Sequence, residues 1–228
     1  MTMAPGPARV GTYGGGGVPS VGSSLSRGTK RVIDVVGACV GLVVCAPVLA
    51  VAAIAIWRAM GHPIFYSQER PGLHGQPFRL HKLRTMVDAV RADGSRVTDY
   101  DRVTALGRVL RKTSIDEIPQ LWNVLMGEMS LVGPRPLLPE YLDRYSPEQR
   151  RRHDVRPGVT GWSQIQRHRI DGWAEQFALD VWYVDHRTVR LDLEILVRTV
   201  VHVLRGGHAG SAMDSLSRTA DREKEFRG

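Results

Sequence analysis

Cysteine is nearly absent from this 228-residue sequence: only Cys39 and Cys45 occur, both inside one apolar run. A disulfide framework and a cysteine-based zinc site are thereby excluded. Histidine does not take their place, because none of the eight forms a pair at helical ligand spacing beside a carboxylate. Acidic residues are also in the minority, 23 against 31 Lys and Arg, which leaves a formal net charge of +8. Such a balance attracts polyanions: nucleic acid, anionic headgroups or phosphorylated substrates. No aromatic-rich RNA motif or recognition-helix pattern accompanies the charge, so no nucleic acid partner is expected. Charge itself is missing over one long stretch, with no charged residue from Val35 to Trp57.

That run is long enough to cross a hydrocarbon core of roughly 30 Å as a helix. A buried core helix and a secretory signal, with Ala53-Ile54-Ala55 as its cleavage site, are the competing readings. An uncharged run of this length is unusual in a soluble core, and it exceeds a usual signal h-region. A membrane anchor is therefore expected. Pro47 lies near its middle, where it removes a backbone hydrogen bond. Arg27, Lys30 and Arg31 precede the run, and Arg58 and Arg70 follow it, so the positive-inside rule draws both ends to the cytoplasmic face. A helix that breaks at Pro47 and returns satisfies both pulls, which makes a re-entrant anchor the expectation.

The rest divides by composition. Residues 1–29, rich in Gly, Pro and Ser, are expected to be a disordered tail; 30–58 form the anchor, 59–206 a catalytic domain, and 207–228 a flexible tail. Ile64-Phe65-Tyr66 and Phe78 to Leu83 read as two strands joined by a turn-rich connection, hence a small β-hairpin. Helices are expected near Thr104 to Arg111 and Ile118 to Leu125. Two Pro/Gly loops, Val132 to Pro136 and Arg156 to Gly161, follow. Leu193, Leu196, Val197, Val200, Val201 and Leu204 form an apolar stripe at helical spacing, opposite Glu194, Arg198, His202 and Arg205. This C-terminal amphipathic helix is expected either to pack on the core or to lie in a membrane interface. The fold class is α+β, mainly helical and monotopic.

Asp116-Glu117 is the focus for chemistry. Ser114 with Glu117 three residues later is a capping-box pattern, which would make both acidic residues structural. The same geometry also serves a reaction. A carboxylate at a helix start is held ionised by the dipole and can act as a nucleophile, while free N–H groups there favour phosphate. A second carboxylate could hold Mg²⁺, which binds oxygen ligands and substrate phosphates. Arg111 and Lys112 lie just upstream, and Arg135 sits in a rigid Pro134-Arg135-Pro136 loop suited to bidentate phosphate binding. Arg150-Arg151-Arg152-His153 reads as a solvated helix face, with a headgroup or nucleic-acid patch as the alternative.

From about Lys30 to Gly206 the sequence resembles the bacterial sugar transferases, the monotopic polyprenyl-phosphate phosphoglycosyltransferases. The blocks that carry the resemblance include Lys30-Arg31-Val32-Ile33-Asp34, Lys82-Leu83-Arg84-Thr85-Met86, Ser114 to Leu125, Met129 to Pro136, Arg156 to Trp162 and Leu179 to Val184. The resemblance implies a double displacement. Asp116 would attack the phosphate bearing the sugar of a UDP-sugar and release UMP; polyprenyl (undecaprenyl) phosphate would then take the sugar phosphate from the enzyme. It implies Glu117 as ligand of Mg²⁺, and Arg111 and Arg135 as phosphate-binding residues. Lys82, Arg84, Arg156 and Gly158 match motif positions counted here as substrate-binding. It implies further a re-entrant anchor in the bacterial inner membrane, an active site on the cytoplasmic face, and initiation of exopolysaccharide or another surface glycan. Two departures stand out. Ala46 occupies the position before Pro47 where the family usually has Ser, and Ile165-Gln166-Arg167-His168-Arg169 replaces an Asn-Gly-Arg-like stretch. A membrane-bound metal-dependent phosphohydrolase and a non-catalytic basic membrane-binding module are the alternative functions.

Overall fold

A computed structural model describes residues 27–88, 99–166, 170 and 172–205. Nearly all of the two expected tails lies outside the described residues, as does Arg167-His168-Arg169. Helices dominate the described residues. The first, α1 (Arg27–Met60), runs 34 residues without interruption and contains Pro47. Helical backbone continues on both sides of Pro47, whose missing N–H removes one hydrogen bond from the helix.

Two fastenings hold α1 to the rest of the protein, one at each end. At its start, Lys30 pairs with Asp192 at 2.6 Å, and Arg31 donates to the carbonyls of Val124 and Leu125 at 2.5 and 2.7 Å. Asp34, fully buried, accepts from Ser130 Oγ and the Leu131 amide, both at 2.9 Å. Glycine permits this approach, since a Cβ at Gly37 would lie 2.5 Å from Leu131 Cδ1. Towards its end, Ala52 and Ile56 pack with Leu83 and Leu110. Arg84 then donates to the carbonyls of Met60 and His62, closing the helix terminus. Between the fastenings, Val43, Val44, Val48 and Val51 are exposed.

The expected hairpin forms, with strands longer than the apolar pattern marks. β1 (Phe65–Pro71) pairs antiparallel with β2 (Pro77–Leu83), in register Phe65 with Leu83 and Pro71 with Pro77. Phe78 and Leu80 of β2 turn inward at period two, and Leu83 at the end of the strand is buried as well. α2 (Asp99–Arg102) leads to α3 (Ala105–Lys112), whose N-cap Thr104 accepts from the Gly107 amide at 2.9 Å. α4 (Gln120–Met126) begins at Pro119 and ends on Gly127 at φ 85°. Asn123, wholly buried on α4, accepts from the His81 amide and donates to the Arg79 carbonyl, so that helix and strand are fastened at mid-strand.

The two Pro/Gly loops are partners. β3 (Ser130–Val132) and β4 (Gly158–Thr160) form a short parallel pair. Gly158 is there because a Cβ would fall 2.1 Å from the Gly133 amide nitrogen. α5 (Pro147–Arg150) carries a true capping box on Ser146 and Gln149. A 3₁₀ turn over Arg151–His153 and α6 (Trp162–Ile165) precede the last two helices, α7 (Trp173–His186) and α8 (Val189–Leu204). The main core gathers Phe78, Leu80, Val124, Met129, Leu131, Val132, Tyr183 and Ile195 under Ala38 of α1.

α8 meets the core along a narrow face. Asp192 and Ile195 face the core, whereas Leu193, Val197, Val200 and Val201 of the apolar stripe are exposed. Leu196 of the stripe packs against the core, so the stripe is divided between core and surface. Its inward turn is held by polar bonds, with Asp192 accepting from Lys30 at 2.6 Å and from the Tyr183 hydroxyl at 2.6 Å.

Candidate active site

Asp116 and Glu117 lie in a 3₁₀ turn, Ile115–Glu117, wedged between α3 and α4. The capping box expected there is not formed. Ser114 adopts a left-handed conformation at φ 57°, and its buried hydroxyl caps no amide. Left-handed backbone at a non-glycine residue carries strain, and here it turns both carboxylates inward. Each is only 6% exposed.

Three elements bring cations to this turn. Lys82 of β2 reaches Glu117 Oε1 at 2.8 Å. Arg135, from the loop after β3, grips the same carboxylate with both arms, Nη2 at 2.5 Å from Oε1 and Nη1 at 3.3 Å from Oε2. Arg111, at the end of α3, donates through Nε to Thr85 Oγ1 at 2.9 Å and adds positive potential at Asp116.

The two carboxyls respond in opposite directions. Burial works against the Glu117 charge, but Arg135 and Lys82 outweigh it and hold its pKa down at about 2. Burial, reinforced by the neighbouring Glu117 charge, pushes Asp116 up to about 6, against the pull of Lys82, Arg111 and Arg135. Lys82, Arg111 and Arg135, rather than a helix dipole, are the groups that favour the Asp116 charge. The turn precedes α4 by several residues, and macrodipole stabilisation fades within the first helical turn. Adjacent carboxyls driven apart in this way are suited to separate roles.

Among the described residues Asp116 makes no side-chain hydrogen bond, so its oxygens are open to an incoming group. Glu117 Oε2 is bound only by the longer Arg135 contact. Two carboxylates with this spare capacity suit Mg²⁺, which commonly takes one or two protein carboxylates and completes its shell with water and phosphate. A closed protein cage is not formed, since no group of three or more His, Cys, Asp or Glu occurs among the described residues.

Other residues counted as substrate-binding stand elsewhere. Arg84 is engaged by the Met60, His62 and Met86 carbonyls and by Asp88. Arg156 donates to the Gly127 carbonyl at 2.6 Å, and Gly158 seats β4 against Gly133. These three shape the loops around the turn rather than face it. In the Arg150-Arg151-Arg152-His153 stretch the solvated-face reading fails for half of its members, as Arg152 and His153 are buried. Asn123 and Arg152 were not read from sequence as buried polar residues: one sits on a helical face and the other in an arginine run that resembles surface charge. Asn123, a buried polar residue within an apolar helix, offered the stronger signal.

The bacterial sugar transferase family matches residues 25–206. An uncharacterized sugar transferase, EpsL, of Bacillus subtilis is 51% identical over 176 residues, covering 77% of this chain and 87% of that protein. The UDP-glucose:undecaprenyl-phosphate glucose-1-phosphate transferase of Caulobacter vibrioides is 42% identical over 207 residues, covering 86% of this chain and 76% of that protein. The undecaprenyl-phosphate galactose phosphotransferase of Salmonella typhimurium is 36% identical over 201 residues, 79% of this chain against 41% of a longer protein. With the family match spanning every described residue, this chain belongs to the bacterial sugar transferase family.

Proposed function

We propose that this protein transfers a sugar 1-phosphate from a UDP-sugar to polyprenyl phosphate at the cytoplasmic face of the bacterial inner membrane, initiating exopolysaccharide or another surface glycan. The observation that carries the reading is the divided carboxylate pair, Glu117 held as an anion by Arg135 and Lys82 while Asp116 stands beside it without a hydrogen bond. Family membership and the names of the relatives in Caulobacter and Salmonella support it.

In this mechanism an Asp116 oxygen attacks the sugar-bearing phosphorus of the donor. The P–O bond to the nucleotide breaks and UMP leaves with the electron pair. A phosphate oxygen of the polyprenyl carrier then attacks the same phosphorus, freeing Asp116 and giving the polyprenyl diphosphate sugar. Burial strips Asp116 of water and keeps it reactive. Arg135, Arg111 and Lys82 are placed to receive the phosphoryl charge that builds during each step. Glu117 would hold Mg²⁺, which would offset charge on the diphosphate.

The acceptor is a lipid, and the surroundings of the turn suit one. An apolar cavity of about 380 Å³ is lined by Pro47, Val48, Ala52, Leu106, Leu110 and Ile115, and Ile115 adjoins Asp116. The exposed valines of α1 and the exposed stripe of α8 would seat in the bilayer. A straight helix of this length would measure about 50 Å. Both of its ends are fastened to the same catalytic unit, which supports an anchor bent at Pro47 and returning to one face over a straight span.

The test is UMP release by detergent-purified protein supplied with UDP-glucose, UDP-galactose and their N-acetylated forms, Mg²⁺ and undecaprenyl phosphate. UMP release, a phosphosugar adduct in the intact mass, and loss of both in Asp116→Asn are the expected results. Release of UDP, or of free sugar phosphate without a lipid product, would overturn the assignment.

A further inference from the structure

Arg152 is among the largest wholly buried side chains, with 1% side-chain exposure, and its partner Asp180 on α7 is equally buried. One guanidinium nitrogen, Nη2, donates twice: to Asp180 Oδ2 at 2.7 Å and to the backbone carbonyl of Arg135 at 2.7 Å. Nη1 donates to the Tyr145 hydroxyl at 2.9 Å, and the group lies against the Phe177 and Tyr145 rings at 5.4 and 5.6 Å. Asp180 is fixed from its other side, Oδ1 accepting from Ser163 Oγ at 2.6 Å. A buried ion pair contributes little net stability over apolar residues of the same volume, so its use is better sought in geometry.

That geometry leads to the reaction centre. Arg135 is flanked by Pro134 and Pro136, neither of which has an N–H to tie the loop down. The loop is held instead from the opposite strand, through Gly133 N to Thr160 O at 2.9 Å and Gly158 N to Pro134 O at 3.0 Å. The next carbonyl, that of Arg135, is taken by Arg152. From that fixed Cα the Arg135 side chain reaches Glu117 with both arms. We propose that Arg152, braced by Asp180, is a positioning residue for sugar-phosphate transfer, holding the Arg135 loop so that the Arg135 guanidinium stays on Glu117. This rests on the reading of Asp116 and Glu117 given above.

Lysine could not replace Arg152. Its ammonium is a single point of charge, whereas the planar fork meets a carbonyl, a carboxylate and a hydroxyl in fixed directions.

The test uses the full chain and begins without substrate. Arg152 and Glu117 make no hydrogen bond to each other, so independent effects on stability should add. Glu117→Gln is expected to lower Tm clearly in the wild-type background and by less than half as much beside Arg152→Lys, because Arg135 has then already left Glu117. Arg135→Lys in place of Glu117→Gln repeats the cycle should the first variant fold poorly. Turnover is read next, with the UDP-sugars named above, as rate per site counted from the covalent adduct. Arg152→Lys and Asp180→Asn are expected to lower that rate about 10- to 100-fold, as a displacement near 1 Å can. The further loss should be less than about threefold in an Arg135→Ala background. Additive Tm shifts, or a rate per site unchanged by Arg152→Lys, would overturn the positioning role whether or not sugar phosphate is transferred. Coupled Tm shifts in a wild-type protein that releases no UMP would instead overturn the functional reading and reduce Arg152 to a structural fastener.

Discussion

Glu117 and Asp180 are both buried carboxylates gripped by arginine, yet their surroundings differ in what they leave open. Around Asp180 both carboxylate oxygens are taken, by Arg152 and by Ser163, and Tyr145 takes the next guanidinium arm, leaving only Arg152 Nε unpaired in this cluster among the described residues. Around Glu117 the bonds do not close, because Lys82 and Arg135 crowd one carboxylate while Asp116 beside it has no hydrogen bond among the described residues. A closed network fixes geometry; an open one can accept a reacting group. The contrast also explains why the open cluster is costly to fold. Asp116 is buried beside another negative charge, an arrangement that folding tolerates only through nearby cations.

The sharpest break of that comparison is Asp116→Asn, expected to lower transfer by more than about 10³-fold in a UMP-release assay, as loss of a covalent nucleophile does. Glu117→Gln comes next. It should abolish most turnover and lower stability by about 3–5 kcal/mol in a denaturant melt, because Arg135 and Lys82 lose the anion they share.

A smaller effect separates function from stability. Asp116 has its pKa raised on folding, so its protonated form favours the folded state. That contribution is complete below the unfolded value near 3.8 and is lost as pH rises through about 6. Metal-free Asp116→Asn should therefore melt a few degrees above wild type at pH 8, with the difference vanishing below pH 4. A melting gap that stayed constant with pH would contradict the buried, charged state of Asp116. Ser163→Ala opens one bond of the closed cluster and should cost about 1 kcal/mol by the same melt. The mildest change lies outside both clusters: Val197→Ser with Val200→Ser on exposed α8 should leave Tm within a degree or two while weakening flotation with anionic vesicles.

The hairpin, the helix after Thr104 and the apolar length of α1 were legible because each is written within a few residues: period-two burial at Phe78 and Leu80, a capping threonine, an uncharged run. Asp116, Glu117, Arg111, Arg135 and Lys82 were legible through motif and resemblance, and the fold gathers them. Arg84, Arg156 and Gly158 carried the same kind of signal, but their bonds serve the frame. The capping box at Ser114 misled because its pattern is local, while the left-handed turn there is set by packing between α3 and α4.

By itself the sequence determined what short-range physics can write: where helices and strands run, where charge is excluded, and which residues are able to bind phosphate or attack it. Tertiary structure alone decided which of those residues meet. It left Val197 and Val200 of the α8 stripe exposed, drew Arg152 into the interior, and pointed Arg135 rather than Arg84 at Glu117. The reason is distance along the chain. Arg135 lies 18 residues from Glu117, Arg152 lies 28 from Asp180, and Lys30 lies 162 from Asp192. Contacts at such separations follow from how packed elements share their faces, which no local pattern records.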